Sequence, residues 1–130
     1  MKKFNKILLL EDDPIDSFLG KTVIEQMDIT EEIVVCSDGQ EGLSCLEMLK
    51  DSSSPDLILL DIRMPGMDGF EFLQELQKVY TDEHQFTVVI LTSSNHPDDI
   101  TLSGHFHASY YLVKPITQDK VKKMIERCFN

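Results

Sequence analysis

The sequence has no apolar run approaching the roughly 20 residues needed to span a membrane. Its start, Met1-Lys2-Lys3-Phe4-Asn5, is basic, but only about four apolar residues follow before acids intervene, too few for a secretory signal. Cysteine is scarce: Cys36, Cys45 and Cys128 are widely spaced and odd in number, which excludes a disulfide framework and a zinc site. Cys45 and Cys128 fall on apolar helical positions, so buried free thiols in a reducing cytoplasm are expected. The four histidines, His84, His96, His105 and His107, show no ligand spacing. There is no repeat, no low-complexity tract and no linker beyond the short polar stretch Asp51-Ser52-Ser53-Ser54-Pro55.

Basic residues are few as well. Twelve Lys and Arg stand against 23 Asp and Glu, a formal net charge of −11, and a phosphate backbone would be repelled by such a surface. The sequence therefore argues against nucleic-acid binding, as it does against a membrane. From Lys114 to Asn130, however, five basic residues face two acidic ones, so this segment is +3 and the remainder −14. At 130 residues, with 42% hydrophobic content, the chain suffices for one domain spanning 1–130 with a real core. No output domain is expected after Asn130.

What the chain does have is a set of short, wholly apolar runs that end in polar groups. Ile7-Leu8-Leu9-Leu10 meets Glu11-Asp12-Asp13. Leu57-Ile58-Leu59-Leu60 meets Asp61. Val88-Val89-Ile90-Leu91 meets Thr92-Ser93-Ser94, and Tyr110-Tyr111-Leu112-Val113 meets Lys114-Pro115. Such runs read as strands buried on both faces. A further short run, Ile33–Cys36, adds a strand closed by Ser37-Asp38-Gly39.

Helical spacing fills the intervals. Asp13 resembles an N-cap with Pro14 at the first helical position, and Ile15, Phe18, Leu19, Val23, Ile24 and Met27 give helix 1 its apolar face. Helix 2 carries Leu43, Leu46 and Leu49. Helix 3 starts near Gly69 and shows Phe70, Leu73, Leu76 and Val79. Helix 4 is expected from Pro97 to about Gly104. Helix 5, capped by Thr117, shows Val121, Met124, Ile125 and Cys128. The order is (βα)5, an α/β doubly wound parallel sheet of five strands with helices on both faces.

In a parallel sheet the carboxyl ends of the strands lie together, where open α/β sheets place their ligands. Glu11, Asp12 and Asp61 would then converge. Like charges repel in a partly desolvated site, so the cluster calls for a cation. An all-oxygen donor set indicates a hard ion, and Mg2+ suits a site that keeps waters. Thr92 adds a hydroxyl and Lys114 a positive charge. These are the parts for phosphoryl transfer, which is mostly positioning and charge neutralisation, and a carboxylate can itself act as the nucleophile.

The acidic pair Glu11-Asp12, the segment Asp61-Ile62-Arg63-Met64-Pro65-Gly66-Met67-Asp68-Gly69, the strand end Leu91-Thr92-Ser93 and Lys114-Pro115 together resemble a receiver domain of two-component response regulators, over essentially the whole chain. The resemblance implies the flavodoxin-like strand order 2-1-3-4-5. It implies Asp61 as phosphoacceptor, Asp12 as a direct Mg2+ ligand, Glu11 as a ligand through water, and the backbone carbonyl of Arg63 completing the metal's protein shell, with Mn2+ as an alternative ion. Thr92 and Lys114 would each meet a phosphoryl oxygen. Tyr111 matches the switch aromatic, although a core or interface tyrosine is nearly as good a reading, and the Lys114–Pro115 bond is expected to be cis. Arg63, two residues past the acceptor, and Ser94, two past Thr92, occupy positions that tune phosphoryl lifetime in the family.

The implied function is a cytoplasmic, phosphorylation-dependent signalling switch, fed by a histidine kinase or phosphotransfer protein. It is not a stand-alone enzyme, though it assists its own phosphorylation and dephosphorylation. Output would pass to a downstream protein or onward through a relay, with helix 4, strand 5 and helix 5 as the contact surface for a partner or a second copy. A flavodoxin-like small-ligand binder would need a hydroxyl- or glycine-rich phosphate loop where Glu11-Asp12-Asp13 stands. A dehalogenase-like phosphatase needs a second acid where Arg63 stands. A phosphorylation-independent pseudo-receiver would not need the complete set Glu11, Asp12, Asp61, Thr92 and Lys114.

Overall fold

The structure is a computed structural model that describes residues 3–49, 55–79, 87–93 and 109–129. Five strands, β1 (Phe4–Leu10), β2 (Thr30–Cys36), β3 (Leu57–Asp61), β4 (Thr87–Thr92) and β5 (Tyr110–Val113), form one parallel sheet in the order β2-β1-β3-β4-β5. The described helices are α1 (Pro14–Met27), α2 (Gly39–Met48), α3 (Gly69–Val79) and α4 (Gln118–Phe129), the last being the expected helix 5. The expected helix 4, together with His84, His96, His105, His107 and Ser94, lies outside the described residues.

Side chains alternate across a strand, so each apolar run feeds both faces. Ile7, Leu9, Leu57, Leu59, Val89 and Leu91 point to one face and pack with Ile24 of α1 and Val121 and Met124 of α4. Leu8, Leu10, Ile58, Leu60 and Ile90 point to the other and pack with Leu46 of α2 and Phe72, Leu73 and Leu76 of α3. Every residue of β3 is buried, which is why its sequence shows no polar alternation. Full burial of each such side chain contributes roughly 1.5–3 kcal/mol.

Helix starts follow their caps. The Asp13 carboxylate accepts from the N–H groups of Ile15 and Asp16 ahead of Pro14. Asp38 does the same for α2 through Glu41, and Thr117 Oγ1 accepts from Lys120 N in α4. Two local differences from the sequence reading stand out. Strand β2 begins at Thr30, three residues before Ile33. Helix α1 does not bury its first two turns: Ile15, Phe18 and Leu19 are 70%, 68% and 48% exposed. Helical periodicity marked them as apolar positions. The helix meets the sheet through Gly20 and Ile24, and Val23 and Met27 pack at the margin of that core. Cys36 is buried, while Cys45 and Cys128 are half-buried rather than sealed in the core.

Candidate phosphoacceptor and metal site

Parallel pairing brings four strand ends to one edge. Asp61 ends β3, 2% exposed, in register with Leu91 of β4. Ile62 N donates to Leu91 O at 3.3 Å, which ties the loop after β3 to the neighbouring strand. Glu11 follows β1, 3% exposed, and its N–H donates to the carbonyl of Cys36 on β2. Thr92 ends β4 at 2% exposure, with its Oγ1 donating to the carbonyl of Ser93 at 3.2 Å. Lys114 follows β5, and its N–H donates to Thr92 O at 2.7 Å.

The side chains then converge. Lys114 Nζ lies 3.0 Å from Glu11 Oε1, 3.3 Å from Asp61 Oδ2 and 3.4 Å from Asp16 Oδ2. Arg63 N donates to Asp61 Oδ1 at 3.0 Å, fixing the carboxylate by its own turn. The Lys114–Pro115 peptide bond is cis, and Lys120 Nζ donates to the carbonyls of Val113 and Pro115 on either side of it.

The loop after β3 depends on two glycines. Gly66 has φ +74°, a conformation that costs a Cβ-bearing residue energy. At Gly69 a Cβ would lie 2.7 Å from Ile62 Cα and 2.8 Å from Asp61 O, both backbone atoms that cannot swing away. The start of α3 therefore sits directly against the peptide of Asp61.

Carboxylate oxygens of Glu11, Asp12 and Asp61 lie within 4.8 Å of one another. At that spacing two unit charges repel by on the order of 4 kcal/mol at an effective dielectric near 20. Burial, reinforced by the neighbouring Asp61, pushes the Glu11 carboxyl up to about 8. Burial alone would lower the Lys114 ammonium, but the Glu11 and Asp61 carboxylates outweigh it and hold the group above its ordinary value. One ammonium does not neutralise this cluster, and ionisation of Glu11 is disfavoured by its burial and by Asp61. A hard divalent cation fits the same donor set, since it is all oxygen and partly desolvated.

All the residues expected at the strand ends are thus brought to one edge. Tyr111 is not at the cluster: it lies on β5 opposite Ile90, 43% exposed, stacked on Tyr110 with ring centroids 6.4 Å apart. Asp16 was missed. A first-turn acid is an ordinary feature of a helix start, and only the tertiary contact with Lys114, 98 residues away, brings it to the site.

A parallel sheet of this order with two acids after β1, one acid ending β3 and a lysine after β5 defines a receiver domain. The family profile described as the response regulator receiver domain matches residues 7–126, and the chain belongs to that family, within two-component signalling. It is similar to the response regulator Rcp1 of Synechocystis sp., 35% identical over 123 residues that cover 92% of this chain and 83% of Rcp1. The crystal structure of a two-component response regulator from Cytophaga hutchinsonii superposes with a TM-score of 0.86 at 29% identity, covering 99% of both chains. The Mn2+-bound form of Rcp1 superposes with a TM-score of 0.74 at 33% identity, covering 94% of this chain and 89% of that one. The fold is the flavodoxin-like one shared by these receivers. Among the described residues no helix is long and apolar enough to cross a membrane.

Proposed function

We propose that the chain is a cytoplasmic signalling switch, a single receiver domain over 1–130 that accepts a phosphoryl group on Asp61 from a histidine kinase or phosphotransfer protein. The observation that carries this reading is the placing of one nearly buried carboxylate at the tip of β3, 3.3 Å from an ammonium and beside two further carboxylates. An isolated acid there would be a turn former. An acid held against both a cation and other acids is an arrangement that needs positive charge and tolerates anionic oxygens once that charge is supplied.

Asp12, Asp61 and the Arg63 carbonyl would hold Mg2+ directly, with Glu11 acting through water; the Mn2+ form of Rcp1 supports Mn2+ as an alternative. When bound, the ion supplies charge neutralisation for the phosphoryl oxygens. The chain's own groups do the rest. Arg63 N–H orients the acceptor through Oδ1, leaving Oδ2 toward Lys114. Lys114 pairs with a phosphoryl oxygen. Thr92, one residue past the register partner of Asp61, donates its hydroxyl to another. Its movement from Ser93 O would free space behind β4 into which Tyr111 turns, changing the surface of β5 and α4 that faces a downstream protein or a second copy. Arg63 and Ser94 tune phosphoryl lifetime. The chain assists phosphorylation and dephosphorylation of its own acceptor and has no separate substrate.

The test is intact-mass measurement after incubation with Mg2+ and a phosphorylated histidine kinase. Wild type gains one hydroxylamine-labile phosphoryl group and Asp61→Asn gains none. Equal labelling of both proteins refutes the assignment. A flavodoxin-like ligand site is disfavoured because the loop after β1 presents Glu11 and Asp12, which repel a phosphate. A pseudo-receiver is disfavoured by the complete set of acids, hydroxyl and lysine.

A further inference from the structure

Asp16 contributes a third carboxylate to an ammonium that already serves two. Glu11 and Asp61 are each 2% exposed at the side chain, whereas Asp16 is 42% exposed and comes from α1. Its backbone is fixed, because Asp16 N donates to the N-cap Asp13 Oδ1 at 3.2 Å. Together with Glu11, Leu19, Lys114, Pro115 and Ile116 it lines a small cleft between α1 and the residues after β5. A lysine ammonium has three protons to donate, and three carboxylate oxygens within 3.4 Å engage them. A phosphoryl oxygen approaching Lys114 must replace one of these contacts. Asp16 Oδ2 is the most distant and the most solvated, so it is the one released at least cost.

We propose that Asp16 is a positioning and selectivity residue: it holds the Lys114 ammonium toward α1 and places a half-exposed anion beside it, which disfavours small dianionic phosphodonors relative to less charged ones. The inference rests on Asp61 being the acceptor. In the step concerned, an Asp61 carboxylate oxygen forms an O–P bond. With acetyl phosphate, the P–O bond to acetate breaks and acetate leaves with the electron pair. With phosphoramidate, the P–N bond breaks and the nitrogen, already carrying its proton, leaves as ammonia. Acetyl phosphate arrives as a dianion and phosphoramidate as a net monoanion, so Asp16 opposes the first more strongly. Both effects of Asp16, the anchored lysine and the anion beside it, act in the same direction on the rate.

The test measures phosphorylation rate constants of wild type, Asp16→Asn and Asp16→Glu with each donor, by intact mass in the presence of Mg2+, at low and high salt. Asp16→Asn should accelerate labelling by acetyl phosphate about two- to fivefold, the range that an exposed ion pair supports. The gain with phosphoramidate should be smaller. High salt should shrink the difference between donors, and Asp16→Glu should return the wild-type order. A purely structural role for Asp16 would change both donors alike and be indifferent to salt. Equal changes with the two donors, no change, or slower labelling by acetyl phosphate overturns the inference while leaving Asp61 as acceptor. Absence of labelling by either donor in all three proteins, with kinase-dependent labelling of Asp61 intact, overturns this inference alone; absence of labelling by the kinase as well overturns the acceptor reading.

Discussion

Removing the Lys114 ammonium tests the electrostatics of the site directly. Lys114→Met keeps the length and apolar stem of the side chain and deletes only its charge. Glu11 and Asp61, with side chains each 2% exposed, then lose the cation at 3.0 and 3.3 Å. Breaking a fully buried pair costs about 3–5 kcal/mol. Lys114 is 20% exposed and Asp16 regains water at no loss, so a loss of about 2–3 kcal/mol is expected in metal-free protein at alkaline pH. For a domain of this size that lowers Tm by on the order of 10 °C. The dependence on pH has a definite sign. The Glu11 carboxyl already stands at about 8, well above the usual 4.5, and losing its ammonium raises it further. A carboxyl raised in the folded state costs stability above its unfolded value, and that cost grows until the folded value is passed. Both proteins carry the Glu11 cost alike up to the wild-type value of about 8, so the deficit, already present at lower pH through Asp61, should widen above about pH 8. Adding Mg2+ at alkaline pH should recover much of it, because a divalent ion supplies the missing charge. Thermal unfolding of both proteins as a function of pH, with and without Mg2+, measures all of this. A deficit independent of pH, or one that Mg2+ leaves unchanged, would refute the shared-charge account of the site.

Three further outcomes follow from the same geometry. Because metal-free Glu11 holds a proton up to about pH 8, Mg2+ must displace it; the apparent Mg2+ affinity measured by calorimetry should rise with pH up to that point, and a flat profile would argue that Glu11 is not part of the ion's surroundings. Gly69→Ala should cost more than about 2 kcal/mol, since its Cβ meets backbone, whereas Gly66→Ala should cost only about 1 kcal/mol for its positive φ; chemical denaturation ranking the two the other way would show that α3 does not abut the Asp61 peptide as described. Burial pushes the Cys36 thiol up to about 12, so at about pH 8 a maleimide should modify Cys36 far more slowly than an unfolded control, and comparable rates would contradict its burial.

The strands were legible in the sequence because burial on both faces demands uninterrupted apolar residues, as the runs of β1, β3 and β4 show, whereas β5 is equally apolar yet buries only Leu112. The helix starts at Asp13 and Thr117 were legible because capping is a local interaction between residues two or three apart. The cluster of Glu11, Asp12, Asp61, Thr92 and Lys114 was legible once the strands were taken as parallel, since parallel pairing gathers all carboxyl ends at one edge. The face of α1 was not. Its apolar positions have helical spacing, but which of them meet the sheet depends on how closely the helix approaches, and Gly20 with Ile24 makes that contact while Ile15 and Phe18 stay in water. The extra length of β2 was hidden for a similar reason: Thr30, Glu31 and Glu32 are polar, yet pairing with Phe4 and Lys6 keeps them in the sheet. Asp16 belongs to the same class. Nothing local distinguishes it from any acid in a first helical turn; only the packing of α1 beside the loop after β5, elements 98 residues apart in sequence, brings its carboxylate to Lys114. The sequence alone thus determined which residues had to be buried and which chemistry gathers at the strand ends, because those follow from local pattern and from parallel pairing. Tertiary structure alone decided which carboxylates share the one ammonium and how strongly Glu11 holds its proton, because those depend on through-space distance and desolvation.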